Sequence, residues 1–234
     1  METKINEKDG AEMVWVPEGE FIMGSDDHDD DEKPRRTVYL DGYWIYKYPV
    51  TLEQYAKYCR ESGLALPPKP EWGYRHNHPV VNVSWDDALA YCEWASVALP
   101  SEAEWEKAAR GTDGREYPWG PEWDTLMCSN SVGGGSSSTA SVTAHPSGGS
   151  PFGAMEMAGN VWEWCGDWYS NAYYNNAPKR NPIGPPKGSG RVLRGGGWNY
   201  NRPDVFRCAD RYGYAPGNGY YVFGFRCVSR PGRI

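Results

Sequence analysis

No apolar stretch in these 234 residues approaches the roughly 20 needed to cross a bilayer, so no membrane span is expected. Basic residues are also in deficit. Lys and Arg total 24 against 31 Asp and Glu, a net charge of −7, which argues against a nucleic-acid-binding module. The six cysteines (Cys59, Cys92, Cys128, Cys165, Cys208 and Cys227) form no Cys-x-x-Cys pair. A zinc ribbon or a thioredoxin-type motif is therefore not expected, and buried free thiols are the default. The opening "METKINEKDG" has no hydrophobic region, so no signal peptide is visible there and localisation stays open.

A narrower absence lies near the end. From Asn199 to Phe223 there is no Lys, Glu, Gln, Trp or Met. Tyr, Asn, Asp, Gly, Arg, Val and Phe replace them, with neither strand alternation nor helical spacing. Firm flanks enclose this stretch, Arg194-Gly195-Gly196 before it and Gly224-Phe225-Arg226-Cys227 after it.

Aromatics are plentiful, with 12 Trp and 17 Tyr, while 28 Gly and 19 Pro indicate many turns. "EMVWVPEGEFIMGS" alternates and breaks at Pro17-Glu18-Gly19, which predicts a β-hairpin. "RTVYLDGYWIYKYPVT" predicts a second strand pair turning near Asp41-Gly42. Three helices open on capping boxes, Thr51 with Gln54, Ser84 with Asp87 and Ser101 with Glu104, and Gly63 and Gly111 close the first and third. The acidic run Asp26–Glu32 reads as a solvated loop. Strands at both ends with helices between indicate an α+β fold with much irregular structure and a single domain over residues 1–234.

Six collinear stretches, "EMVWVPEGEFIMGS", "DEKPRRTVYLDGYWIYKYPVT", "HPVVNVSW", "LPSEAEWEKAARG", "GNVWEW" and "RVLRGG…GFRC", resemble the formylglycine-generating, sulfatase-modifying family. The resemblance implies a variant of the C-type lectin fold. Enzymes of that family oxidise a substrate cysteine with copper held by two cysteines just after the Gly-Gly of the last stretch. Here Gly195 through Arg207 holds no cysteine; Tyr200 stands near the first position and Val205 or Phe206 near the second. A phenol does not replace a thiolate as a Cu(I) ligand, so no catalysis and no required cofactor are expected. His28, His76, His78 and His145 are given structural or surface roles.

The resemblance carries two further expectations. "GNVWEW" implies a structural calcium site at Asn160, Val161 and Glu163. It also implies that Cys92 and Cys227 lie close together, as a possible disulfide, and that Cys208 is unbridged.

The ending of the chain is similar to the variable proteins of diversity-generating retroelements, in which randomising the adenines of Asn codons excludes Lys, Glu, Gln, Trp and Met. The resemblance implies a non-catalytic, receptor-binding type of protein. Its ligand surface would be built from Asn199, Tyr200, Asn201, Arg202, Asp204, Val205, Phe206, Asp210, Tyr212, Gly213, Tyr214, Asn218, Tyr220, Tyr221, Val222 and Phe223. Tyr supplies rigid amphipathic contact at low rotamer cost, while Asn and Gly supply adaptability. The expected partner is a protein or cell-surface ligand, reached from the cytoplasm or from display on a virus particle or cell surface. Arg194, Trp198, Arg207, Arg211 and Phe225 are assigned to the scaffold. The competing expectations are an enzyme using another cofactor, with ligands drawn from His76, His78, Cys128 or Cys165, and an undiversified interaction domain.

Overall fold

The alternating stretches near the start do form strands, but not with the expected partners. In the computed structural model, which describes residues 2–232, β2 (Glu12–Val16) pairs with β5 (Tyr43–Tyr46), and β3 (Gly19–Met23) pairs with β4 (Arg36–Leu40). Val16 opposes Tyr43 and Gly19 opposes Leu40, so one antiparallel register runs through both breaks without a shift. The two expected hairpins are instead a single long ribbon with a corner. Pro17 has no N–H to give a ladder. At Gly42 an added Cβ would stand 2.4 Å from the Trp15 ring, so only glycine lets the strand pass. The buried Lys107 ammonium fixes the corner by donating to the carbonyls of Pro17 (2.7 Å) and Gly19 (2.9 Å). Gly42→Ala is expected to cost about 1–3 kcal/mol through this overlap, measurable as a lowered urea midpoint. An unchanged midpoint would mean that the corner is not under that constraint.

The three capping boxes are all made, and they start α1 (Leu52–Ser62), α2 (Trp85–Trp94) and α3 (Glu102–Arg110). Gly63 ends α1 in the left-handed region at φ 70°. Every residue of α3 is buried, including Glu102, Glu104, Glu106, Lys107 and Arg110. That helix packs against β3, β4, β6 (Trp162–Trp168) and β7 (Arg191–Arg194).

The first and last strands form the two edges of one sheet. β1 (Thr3–Ile5) lies beside β2, and β10 (Val228–Ser229) lies beside β5, giving a four-stranded antiparallel sheet in the order β1-β2-β5-β10. A second four-stranded sheet runs β8 (Tyr212–Tyr214), β7, β6, β9 (Phe223–Gly224), with β9 parallel to β6. One apolar cluster gathers Tyr55, Tyr58, Tyr91, Trp85, Trp164 and Phe225; another gathers Val16, Phe21, Ile45, Trp105, Cys165 and Val192. The segment from Asn199 to Val222 therefore leaves the second sheet after β7, touches its edge as β8, and returns at β9. No helix among the described residues is long and apolar enough to cross a membrane.

Candidate functional site

The frame under this segment is built from buried arginines. Arg194 donates to Glu106 (2.5 Å) and to the successive carbonyls of Cys208, Ala209 and Asp210 (2.7, 2.8 and 2.6 Å). Arg207 grips Glu32 with both arms (2.8 and 2.6 Å), and Arg211 holds Glu102 side-on through Nε and Nη2 (2.6 and 2.8 Å). The expected solvated loop at Asp26–Glu32 is thus corrected at its last residue. Glu32 is fully buried because Arg207 needs a carboxylate there.

Main-chain bonds pin the rest. The carbonyls of Tyr200, Pro216, Tyr220 and Val222 accept from the backbone N–H groups of Ser131, Trp85, Asn82 and Trp162, each at 2.8–2.9 Å. These bonds depend little on which side chains the segment carries.

Side chains of the segment divide into two sets. Asn199, Asn201, Arg202, Tyr212, Asn218, Tyr220 and Tyr221 are exposed, while Tyr200, Asp204, Val205 and Tyr214 are half-buried. Arg202 and Asp204 pair with each other. Four expected ligand residues are corrected to the frame by burial. Phe206 is fully buried and stacks on Trp123 at 5.1 Å. Val222 and Phe223 join the first apolar cluster, and Phe223 meets Trp164. Asp210 is buried beside Arg207, and burial raises its carboxyl pKa well above the usual range. Gly213 is a fifth correction, since an added Cβ would lie 2.5 Å from the Tyr169 ring.

The remaining tyrosines are contiguous. Tyr200 and Tyr212 flank the buried Trp162 (5.7 and 5.6 Å between ring centres); Tyr212 leads to Tyr214 (6.1 Å) and Tyr214 to Tyr220 (5.3 Å). The Tyr214 hydroxyl donates to that of Tyr220 at 2.9 Å. Next to Tyr220, Tyr221 meets Trp198 (5.9 Å) and Trp72 (6.2 Å). Trp72 was not foreseen. It sits on the loop Pro67–Pro79, where a tryptophan among prolines, unable to reach a core from a short turn, is the signal that could have marked it. Trp198, assigned to the scaffold, is only half-buried, and with Trp72, Tyr221, Lys69, Glu71, Asn82 and Ser137 it borders a cleft of about 620 Å³.

Metal chemistry finds little support in the donor sets. At the positions where the resemblance places copper-holding thiolates stand the Tyr200 ring and the Val205 and Phe206 side chains, a set that does not fit Cu(I). The buried Cys128 and Cys208 thiols are pushed up to about 12 by burial and stay protonated. The calcium set does not fit either. Both ends of the Asn160 amide are engaged by Ala140, and its Nδ2 also donates to Glu156 (2.9 Å). The Glu163 carboxylate receives two bonds from Arg226 and one from Trp105. Val161 sits in the core beside them. The histidines do not converge with Cys128 or Cys165: His28 and His76 are exposed, half-buried His78 meets Thr139, and half-buried His145 meets the Leu126 carbonyl. Among the described residues, the one acidic or His/Cys grouping close enough to share a cation is Asp29, Glu32 and Asp210, and the Arg207 guanidinium already stands against all three.

The sulfurs of Cys92 and Cys227 lie 3.5 Å apart in the core, the proximity that the resemblance implied. Cys208 is unbridged and packs in the same apolar cluster as Ala109.

Comparison with known proteins places this geometry. Residues 1–231 match the description "Sulfatase-modifying factor enzyme 1-like domain". The formylglycine-generating enzyme of Streptomyces coelicolor is 43% identical over 93% of this chain and 88% of its own. Serine/threonine-protein kinase Pkn1 of Chlamydia trachomatis is 39% identical over 93% of this chain, which spans 38% of the kinase's length. The solved structure of Treponema denticola variable protein 1 superposes with a TM-score of 0.84 at 24% identity, covering 98% of this chain and 99% of that one. The α+β fold is accordingly the C-type lectin-like fold of the formylglycine-generating subtype, and the chain belongs to the sulfatase-modifying factor enzyme 1-like family.

Proposed function

We propose that this chain is a non-catalytic, single-domain ligand-binding protein whose exposed C-terminal surface is diversified by a retroelement. One observation carries the reading. The exchangeable side chains hang from a backbone held by main-chain hydrogen bonds and buried arginines, so their identity can change while the frame stays. The exposed set, rich in Tyr with Asn and one Arg, is the composition of an adaptable binding surface. The same frame carries a protein called variable in Treponema denticola. The partner is a protein or cell-surface ligand.

Two measurements test this. DNA beside the gene should hold a reverse transcriptase and a near-copy of the segment with Asn codons at the exposed positions. A library randomised at Asn199, Tyr200, Asn201, Arg202, Tyr212, Tyr214, Asn218, Tyr220 and Tyr221 should yield mostly folded protein, whereas randomising Phe206, Asp210, Val222 and Phe223 should not. A library of the first kind that is mostly unfolded, or neighbouring DNA without a template, would overturn the proposal. Identity to formylglycine-generating enzymes favours a second reading, cysteine oxidation. Copper-dependent turnover of a sulfatase-type peptide would establish it, and a failure to bind copper would remove it.

A further inference from the structure

The cleft beside Tyr221 is only partly made of the exchangeable segment. Trp72 belongs to the Pro67–Pro79 loop and Trp198 precedes Asn199, so two of its three aromatic walls are fixed. The rings are mutually inclined, 87° between Trp72 and Trp198, 82° between Trp72 and Tyr221, and 47° between Trp198 and Tyr221. A pyranose stacks on one flat plate. A compact cation is instead attracted to any ring face within about 6 Å of its centre, and tryptophan is the strongest such partner.

Polar groups on the rim point the same way. The Asn82 Nδ2 already donates to the Pro68 carbonyl at 2.8 Å, which leaves its Oδ1 as an acceptor only. With it stand Glu71, Lys69 and Ser137, all exposed, a set short of donors for the hydroxyls of a sugar. Glu71 gives the lip a carboxylate, and the chain as a whole carries −7, so the field draws cations in. Lys69 is the basic residue on the rim and opposes them.

We propose that this cleft is a fixed subsite for a cationic side chain, an arginine or lysine of a protein partner, with Trp72 and Trp198 as constant walls and Tyr221 as the exchangeable one. The proposal deepens the binding reading above and rests on it for the choice of this face. In it, the exchangeable tyrosines select among partners, and the tryptophans supply a contact common to all of them.

The test uses the full chain and small probes. Arginine amide and tetramethylammonium are titrated while the indole N–H signals are followed by NMR, with those of Trp72 and Trp198 assigned from the Trp72→Phe and Trp198→Phe variants. Both probes should saturate with dissociation constants on the order of millimolar, moving these two signals. Glu71→Lys should weaken arginine amide by on the order of ten-fold, and Lys69→Glu should tighten it several-fold, both effects shrinking in high salt. Three results would overturn the subsite: no saturable shift, an equal response to methyl glucoside, or affinities indifferent to both charge changes. If that happened with a template present beside the gene, only the subsite would fall. A saturable cation response with no template would keep the subsite and remove diversification.

Discussion

Arg194→Ala should destabilise the protein by about 3–5 kcal/mol, the largest effect expected of any single change in the frame. The side chain is fully buried, and its guanidinium donates to the Glu106 carboxylate and to the carbonyls of Cys208, Ala209 and Asp210. Truncation leaves Glu106 with Arg110 as its remaining cationic partner and strands three carbonyls in a site water does not reach. Unsatisfied buried acceptors cost about 1–3 kcal/mol each before relaxation. Arg194→Lys should recover little, because an ammonium lacks the planar fork that reaches carboxylate and carbonyls together. Against a typical total of roughly 5–15 kcal/mol, either change would leave a marginal fold. Urea unfolding with Tyr221→Ala as reference decides the matter, since that exposed ring should alter stability by no more than about 0.5 kcal/mol. Comparable losses for the two variants would refute the division between frame and surface on which the function rests.

That division was only half legible in the sequence. The missing residue types located the segment, and Arg194, Arg207 and Arg211 were recognisable as frame. Which of the intervening residues face solvent was not recognisable, because Phe206 and Tyr212 are both aromatics in an aperiodic stretch. What separates them is a distant ring, Trp123 under Phe206 and Trp162 beside Tyr212. Glycines hid in the same way. Gly213 looks like one more exchangeable position, yet the Tyr169 ring fills the space a side chain would need.

Elsewhere the boundary falls between local and non-local physics. All three helix starts were readable, since a capping box is satisfied within four residues. Strand existence was readable from alternation, but pairing was not. Pro17 and Asp41-Gly42 look like hairpin turns, and only the continuous register from Met13–Tyr46 to Met23–Arg36 reveals them as the corner of one ribbon. Helix α3 shows the non-local side most clearly. Its charged residues Glu102, Glu104, Glu106, Lys107 and Arg110 are all buried, and the partners that permit this, Arg211, Arg230, Arg194 and the Pro17 carbonyl, come from remote parts of the chain. Trp72 belongs to the same class: the prolines around it mark a tryptophan held at the surface, but only the fold sets it against Trp198 and Tyr221.

The second large effect is a pH dependence with an unusual sign for a carboxyl group, centred on Glu156. This residue is buried, one of its oxygens has no hydrogen-bond partner, and the other accepts from Asn160 at 2.9 Å. Burial pushes its carboxyl up to about 8, with Glu163 adding to the rise; the Asn160 bond and Arg226 oppose it. Between about 4.5 and 8 the folded protein therefore holds a proton that the unfolded chain has released. Unfolding gives up a proton in that window, so raising the pH favours the unfolded state. Each pH unit removes up to ~1.4 kcal/mol, and roughly 3–5 kcal/mol is lost across the window before the effect levels off above it. Glu156→Gln keeps a neutral side chain of the same shape and should abolish this slope. The difference in unfolding free energy between wild type and Glu156→Gln should move steadily in favour of the variant from pH 5 to pH 8. Asp167 and Asp210, whose carboxyls burial also raises, are present in both proteins and cancel in the difference. A difference that stays flat with pH would mean that Glu156 is ionised in the fold, held by a positive charge close to its unpartnered oxygen, and would reopen this position to a bound cation.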